Sequence, residues 1–428
     1  MILSKLLIGN SKNTMKKSLI WNLIASVEYS FQSAVLLLIV TRIGGMEEAG
    51  TFMIAYTFTQ MMATIGSYGM RDFQVSDSKQ EYAFTTYFTS RILTVVAMIV
   101  MCLSYVFFQK YTGDKLICVL LLCLYRTIED VEDVFHGEMQ RNMRLDIAAK
   151  IKALRIMAAT MLFAFTYLCT SNLVSACLSI TITALLFSIL LNLSVAGEFP
   201  KLRLKFHFEK VWVLLRTCFP VCAGGFLYNY LVNAPKYAID RNLSEEKQTL
   251  FNILFMPIFA VNMLSSFVFV PQIANMSIEW GRKNYKRFIK AVGRQLGCIV
   301  ILTVTIIGIG AWIGLDMLSL IYNIELEAYK SLFIILLLFG GVAAGAVFMV
   351  SVLTIIRKQR IILFAYGFIV GITMLCADGL VLKFDLWGAG LLYGIDMGLL
   401  FIIFCVCVLV ELIKRKGEEH GIVDGVFN

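Results

Sequence analysis

Residues 331–354 read SLFIILLLFGGVAAGAVFMVSVLT, without a single charged side chain or proline. As an α-helix this run is about 36 Å long, enough to cross a hydrocarbon core about 30 Å thick. It lacks the two-residue alternation of a barrel strand and is too long to be one. It therefore reads as a membrane-spanning helix, and the rest of the chain follows the same pattern. Comparable runs lie at 19–41, 49–68, 82–108, 116–135, 147–168, 173–195, 211–232, 249–270, 292–315, 361–382 and 389–413. With 331–354 they make twelve spans. The first run is too long for a cleavable leader, carries Glu28, and has no small-residue cleavage site after it.

Composition agrees. Apolar residues make up 59% of the 428 and charged residues 16%, with mean hydropathy +0.79. Soluble domains are about half apolar and a quarter charged, so a soluble enzyme, a disordered chain and a disulfide-rich secreted module are all excluded. Lys and Arg set the orientation. If the amino terminus and every second loop are assigned to one side, only Arg42, Lys110, Lys115, Lys236, Arg241, Lys247, Lys330 and Lys383 fall on the other. Arg91 and Arg126 lie inside spans, and the rest of the 38 Lys and Arg lie on the first side. The bias stays in phase to the last loop, which places both termini in the cytoplasm. The net charge of +9 is then mostly a topology signal that suits anionic lipid headgroups, and no soluble basic domain exists to bind nucleic acid.

The basic connection 197–210 divides the spans six and six, giving an N-terminal lobe 1–200 and a C-terminal lobe with its tail, 201–428. Phe73–Asp77 and Pro271–Asn275 follow spans two and eight as weak echoes of each other, as an internal duplication would leave them. The expected fold is all-α: twelve helices in two six-helix lobes around a central polar cavity.

Span four carries the densest intramembrane charge: Arg126, Glu129, Asp130, Glu132 and Asp133. At 100° per residue, Arg126, Glu129, Asp130 and Asp133 share a face and Glu132 lies off it. Arg126 is about 15 Å deep, where a charge costs about 2.5–3.5 kcal/mol on insertion scales and so faces protein or water. Two readings stay open: an ion-pair network of Arg126 with Glu129 and Asp130 that locks helices, or a cavity-facing functional group. Arg91 in span three either snorkels to the headgroups or joins that cavity. Spans one, two, seven and eight carry polar stripes, among them Asn22, Ser26, Tyr29 and Ser33, with Glu28 and Gln32 beside them, then Thr57, Gln60 and Thr64, then Asn229, Asn233 and Lys236, then Asn252 and Asn262. They line a cavity or simply bond helix to helix. Asp378 and Asp396 are lone acids, each a candidate for binding a proton or Na⁺ or for pairing with a distant base. Gly340, Gly341 and Gly345 suit close helix packing. Pro220, Pro235, Pro257 and Pro271 make spans seven and eight the candidate bending pair, or give them a static kink.

No Lys-Ser/Thr phosphate loop, metal-ligand spacing or serine-nucleophile motif occurs, so no cofactor, metal or catalytic residue is expected. His136, His207 and His420 are far apart, and the cysteines lie mostly inside spans.

The chain resembles the multidrug/oligosaccharidyl-lipid/polysaccharide flippase superfamily, and within it the bacterial Wzx-type polysaccharide repeat-unit flippases. The resemblance rests on the twelve-span plan and on three stretches: Gly69–Asp77 (GMRDFQVSD), Glu129 with Asp133–Asp146 (DVFHGEMQRNMRLD), and Asn233–Tyr237 (NAPKY). It implies an undecaprenyl-diphosphate-linked oligosaccharide, turned from the cytoplasmic to the outer leaflet of the bacterial inner membrane by alternating access. Membrane lipids, polysaccharide polymerase and export proteins for lipopolysaccharide or capsule would be its partners. By chemistry and position, Arg126 and Arg91 suit the diphosphate, Asn22, Gln60, Asn229 and Asn233 the sugars, and Lys236 and Arg42 the anion at the outer side. Glu129, Asp130, Asp133, Asp378 and Asp396 are the ion-coupling candidates. They keep open a cation-coupled multidrug or metabolite antiporter of the same superfamily. A membrane glycosyltransferase or polymerase would need a soluble domain or a large loop that this chain lacks.

Overall fold

The computed structural model describes residue 7 and residues 14–77, 81–195 and 208–426. Lys5, Lys12, Lys79, Lys201, Arg203, Lys205 and His207, and most of the connection 197–210, lie outside the described residues, as do the side chains of Lys16, Lys17, Lys416 and His420. The helices are α1 Thr14–Ser67, α2 Met70–Ser76, α3 Phe84–Gln109, α4 Gly113–Arg141, α5 Leu145–Thr170, α6 Leu173–Val195, α7 Phe208–Asn242, α8 Glu245–Phe269, α9 Ile273–Gly281, α10 Tyr285–Ile309, α11 Leu315–Tyr322, α12 Lys330–Ile355 and α13 Gln359–Val426. No strand occurs among the described residues. Nine helical stretches among them are long and apolar enough to cross a membrane. Gly113–Arg141 is not one of them, because its second half carries the charges of span four.

Two helices are too long for one crossing, and each folds back at a single residue. α1 breaks at Gly45 (φ 81°, ψ −171°), a conformation that essentially only glycine adopts. α13 breaks at Asp385 (φ 56°, ψ −137°). Two hydrogen bonds prove the reversals. Tyr56 Oη donates to Gln32 Oε1 at 3.3 Å, and Thr373 Oγ1 donates to Asp396 at 2.8 Å. In straight helices these partners would stand about 35 Å apart. At the second turn no room exists for a side chain at Gly388, whose Cβ would meet the Leu380 carbonyl oxygen at 2.0 Å. Asp385 is the strained position, since an L side chain disfavours this region. Its carboxylate receives only a half-exposed Lys247 at 2.6 Å, a pair of small worth. Asp385→Gly is therefore expected to raise thermal stability in detergent by about 1 kcal/mol; a lower melting temperature would show that the Lys247 pair outweighs the strain.

Polarity is distributed as the membrane requires. Leu185, Leu186, Ile189, Leu190 and Leu193 of α6 are exposed, whereas Arg91, Arg126 and Arg155 are among the most buried side chains. Apolar surface faces lipid and charge faces protein.

The described chain forms two compact units, Met1–Asn229 and Tyr230–Asn428, with the division falling inside α7. In the first, α4 packs against α1, α2, α3, α5 and α6. The first half of α7 joins this unit: Leu214 and Cys218 pack with Met70, Tyr87 and Val134, and a Cβ on Gly69 would meet Val221 at 2.6 Å. In the second, α12 touches α8, α9, α10 and α13. Its glycines permit this, for a Cβ on Gly341 would meet Thr303 at 2.4 Å, on Gly345 Phe401 at 3.0 Å and on Gly340 Ile258 at 3.2 Å. α7 runs as one helix through Pro220 and Pro235, and α8 through Pro257. α8 begins on Ser244, whose Oγ accepts from the Lys247 amide, with Glu245 and Glu246 favourably placed in its first turn.

Candidate functional site

Apart from Asp130, the span-four charges of α4 are paired among themselves and with three neighbouring helices. Arg126 is 1% exposed. Its guanidinium lies over the rings of Tyr56, 4.5 Å away, and Tyr125, 5.3 Å away, and its Nη1 bonds Glu129. Glu129 also accepts from Arg155 Nη2 at 3.0 Å. Arg155 Nε donates to Glu132 at 2.7 Å, and Asn192 Nδ2 donates to the other oxygen of Glu132 at 3.2 Å. Further along the same face of α4, Asp133 joins Arg71 at 2.5 Å and Arg91 at 3.1 Å. Arg91 Nη1 also donates to the Gly66 carbonyl at 2.7 Å, and Arg71 Nη2 to Gln140 at 3.1 Å.

This geometry corrects several expectations. Glu132, read as off the charged face, is an integral member through Arg155. Asp130 does not pair with Arg126; it packs against Gly66, where a Cβ would meet its Oδ2 at 2.0 Å, and that oxygen has no hydrogen-bond partner. Arg91 does not snorkel; it is fully buried and bonded. Of the two readings left open for Asp378, the structure shows the pairing with a distant base: Arg241 Nη2 reaches it at 2.7 Å and Asn242 Nδ2 at 2.8 Å.

Sequence reading missed Arg155, Arg71 and Gln32 as members of this cluster. Gln32 Nε2 donates to Tyr125 Oη at 3.1 Å and to Thr160 at 3.2 Å, while its Oε1 accepts from Tyr56. One amide thus fixes both rings that cover Arg126. The depth of Arg155, about 12 Å into its span from Ile147, was the available signal. Lys152, over the Tyr29 ring at 4.3 Å, is the fifth cation beside four acids. Burying so many ions costs several kcal/mol each unless they are paired. Pairing covers all four arginines, yet Arg126 keeps Nε and Nη2 buried without a hydrogen-bond partner. Gln60, one turn beyond Tyr56, and Asn22 are exposed, as is Arg42 near the Gly45 turn.

The second unit holds Asn233, Lys236, Asp378 and Asp396. Lys236, expected at an outer helix end, is 4% exposed, with Nζ 5.0 Å from the Phe255 ring and 5.7 Å from the Phe259 ring. Asp396, 1% exposed, accepts from Thr373 while its Oδ2 has no partner. Asn229, the last residue of the first unit, is half-buried and donates to the Gly225 carbonyl at 3.0 Å. Among the described residues, no three of His, Cys, Asp and Glu gather to hold a metal ion.

Asp77, after α2, ties down the end of the first unit. It accepts from the amides of Glu81 at 2.9 Å and Tyr82 at 3.1 Å and from Tyr87 Oη at 3.2 Å, with Arg141 at 3.6 Å. Burial opposes ionisation of this carboxyl, but the two amides, Arg141 and Tyr87 outweigh it and hold it below the ordinary aspartate value. A depressed carboxyl stabilises the fold above its unfolded value near pH ~4 and loses that stabilisation as pH falls. Asp77→Asn is expected to cost about 1–3 kcal/mol at pH 7 and progressively less below pH ~4, as followed by melting temperature against pH.

No protein-family model matches the sequence, and no curated protein matches it. Solved structures do match. An inward-facing MATE family multidrug resistance transporter of the MOP superfamily aligns with 91% of this chain and 96% of its own at 12% identity, TM-score 0.64. A eukaryotic MATE transporter aligns over 95% and 100% at 13% identity, TM-score 0.59. A MOP superfamily transporter from Pyrococcus furiosus aligns over 96% and 98% at 13% identity, TM-score 0.56. The chain has the fold of these membrane transporters.

Proposed function

We propose that the protein is an alternating-access transporter that flips undecaprenyl-diphosphate-linked oligosaccharide repeat units from the cytoplasmic to the outer leaflet of a bacterial inner membrane, for surface polysaccharide synthesis. The observation that carries this reading is Arg126, a buried guanidinium with two unbonded nitrogens, Nε and Nη2. That fork suits a phosphate oxyanion. Tyr56 covers it, so the anion reaches it only when the contact between α1 and α4 loosens. Arg91 is committed to Asp133 and Gly66 and acts by positioning. Asn22, Gln60, Asn229 and Asn233 supply amides for sugars, and Lys236 and Arg42 supply further cations. Counting α1 and α13 as two crossings each, and α4 as one, brings the nine apolar stretches to twelve spans. On this reading six spans belong to an N-terminal and six to a C-terminal lobe, 1–200 and 201–428 by the sequence, with the first half of α7 packed on the first and both termini cytoplasmic. Polymerase and export proteins would take the product.

Asp396 favours a second reading. A buried carboxyl with one unbonded oxygen suits a coupling cation, as a multidrug or metabolite antiporter would need; Asp130 in the first unit shares that feature, whereas Glu129, Asp133 and Asp378 are paired with arginines. Deleting the gene and extracting lipid-linked sugars separates the two. Accumulated diphosphate-linked repeat units with loss of surface polysaccharide are expected. Unchanged lipid intermediates with new drug sensitivity would establish the antiporter instead.

A further inference from the structure

The second unit has an open cavity of 630 Å³ where α10 passes into α11 and the chain turns to α12. Small-molecule sites span roughly 300–1,000 Å³. The local backbone builds this one. At Gly310–Gly314 the helix widens into a π-helical turn, a feature that often marks functional positions. Gly310 lets the turn lie on α12, since a Cβ there would meet Leu337 at 2.8 Å and Phe333 at 3.2 Å. Trp312, in the middle of the turn, is directed outward and is 78% exposed. Asp316 and Ser319 follow it at four- and three-residue steps, so the three share a face of the helix. Asn323 then closes α11 in the left-handed region, φ 58°. The return segment is pinned, with Leu326 fully buried and amide bonds from Ile324 to Ser319 O at 3.2 Å and from Tyr329 to Leu326 O at 2.9 Å. It contributes Glu325, Glu327 and Lys330 to the rim.

We propose that this cavity is a glycan-binding site, distinct from the Arg126 niche, which takes the sugar portion of the translocated lipid and not its diphosphate. An exposed indole offers a flat apolar platform for the C–H face of a sugar ring. Around it stand carboxylates, an amide, a hydroxyl and an ammonium, the groups that pair with vicinal hydroxyls. The side chains of Asp316, Asn323, Glu325, Glu327 and Lys330 have no partner among the described residues and are exposed. Three acids against one lysine repel a diphosphate or an anionic headgroup, so the fitting ligand is a neutral or amino-bearing oligosaccharide. An aromatic anchor at the membrane surface accounts for Trp312 alone. It does not account for the ring of unpartnered polar groups or the cavity. The site lies at the end of the span opposite the basic loops, which in the orientation proposed above is where the sugar is delivered. The inference rests on that reading for the ligand's source, but not for its chemistry.

The test uses the full chain in nanodiscs, with lipid-free oligosaccharide released by mild acid from the lipid-linked pool of the cells that make the protein. Titration calorimetry and saturation-transfer NMR report binding. Expected are millimolar or tighter binding, a loss of at least tenfold in Trp312→Ala and in the double variant Glu325→Gln, Glu327→Gln, and near-normal binding in Trp312→Phe. All these positions are exposed, so folding is not at stake. Absence of binding, or equal binding by the wild type and Trp312→Ala, overturns the site. Because the lipid tail is absent, that result leaves the gene-deletion test of flipping untouched. Conversely, unchanged lipid intermediates on deletion, together with Trp312-dependent glycan binding, would retain the site and remove the flippase.

Discussion

Arg155→Ala is expected to lower the stability of the N-terminal unit by about 3–5 kcal/mol, the range for removing one partner of a buried pair. Arg155 holds Glu132 at 2.7 Å and Glu129 at 3.0 Å and reaches Tyr125 Oη at 3.5 Å. Without it Glu132 keeps only the Asn192 amide and His136, 3.9 Å away, and so becomes a nearly uncompensated buried charge. The melting temperature in detergent should fall by roughly 10 °C. Arg155→Lys should recover part of this, because a single ammonium cannot reproduce both arms of the fork. A fall below about 2 °C for the alanine variant would show that the two acids are neutral or paired elsewhere.

Arg126→Gln is expected to behave in the opposite way, losing function more than stability. Glu129 retains Arg155, so no acid is stranded, and the two rings stay held by Gln32. What disappears is the unbonded Nε and Nη2 edge of the guanidinium. A charge-assisted bond to phosphate contributes about 1.5–3 kcal/mol, which is roughly 10- to 150-fold in translocation. Arg126→Lys keeps the charge without the fork and should fall between the two. The measurement is lipid-linked sugar carried to the outer leaflet per folded molecule. Unchanged translocation in Arg126→Gln would remove this residue from the site, whatever the fate of the fold.

These two arginines show how far the sequence reaches. The spans were legible because an apolar run of twenty residues has few alternatives to a membrane helix. Leu173–Val195 was bounded at both ends from the sequence, and Ser331–Thr354 lies within Lys330–Ile355. The charged face of α4 was legible because a buried charge is costly enough to stand out. Its partners were not, since helical periodicity describes one helix and not what packs on it. Arg155 looked like a loop charge in a count that takes the first turns of a span with the loop. Gln32 looked like a neighbour of a polar stripe, yet its partners Tyr56, Tyr125 and Thr160 come from three other helical segments. The turn between 382 and 389 was legible as a gap between two apolar runs, but that Asp385 makes the reversal was not, because the residue that adopts the glycine conformation there is not glycine.

The one-residue reversal at Gly45 also bears on how the chain is made. The two arms of α1 leave the ribosome consecutively and meet across a turn that needs no loop to close. Glu28 and Gln32 would make the first arm a costly single passenger in lipid. Paired with the second arm, Gln32 acquires Tyr56 before any later helix has been synthesised. Gln32 would therefore enter the bilayer already partly satisfied, as part of a hairpin. A glycine replacement that stiffens this turn should show itself first during insertion, as poor yield of inserted chain, ahead of any defect in the protein that does assemble.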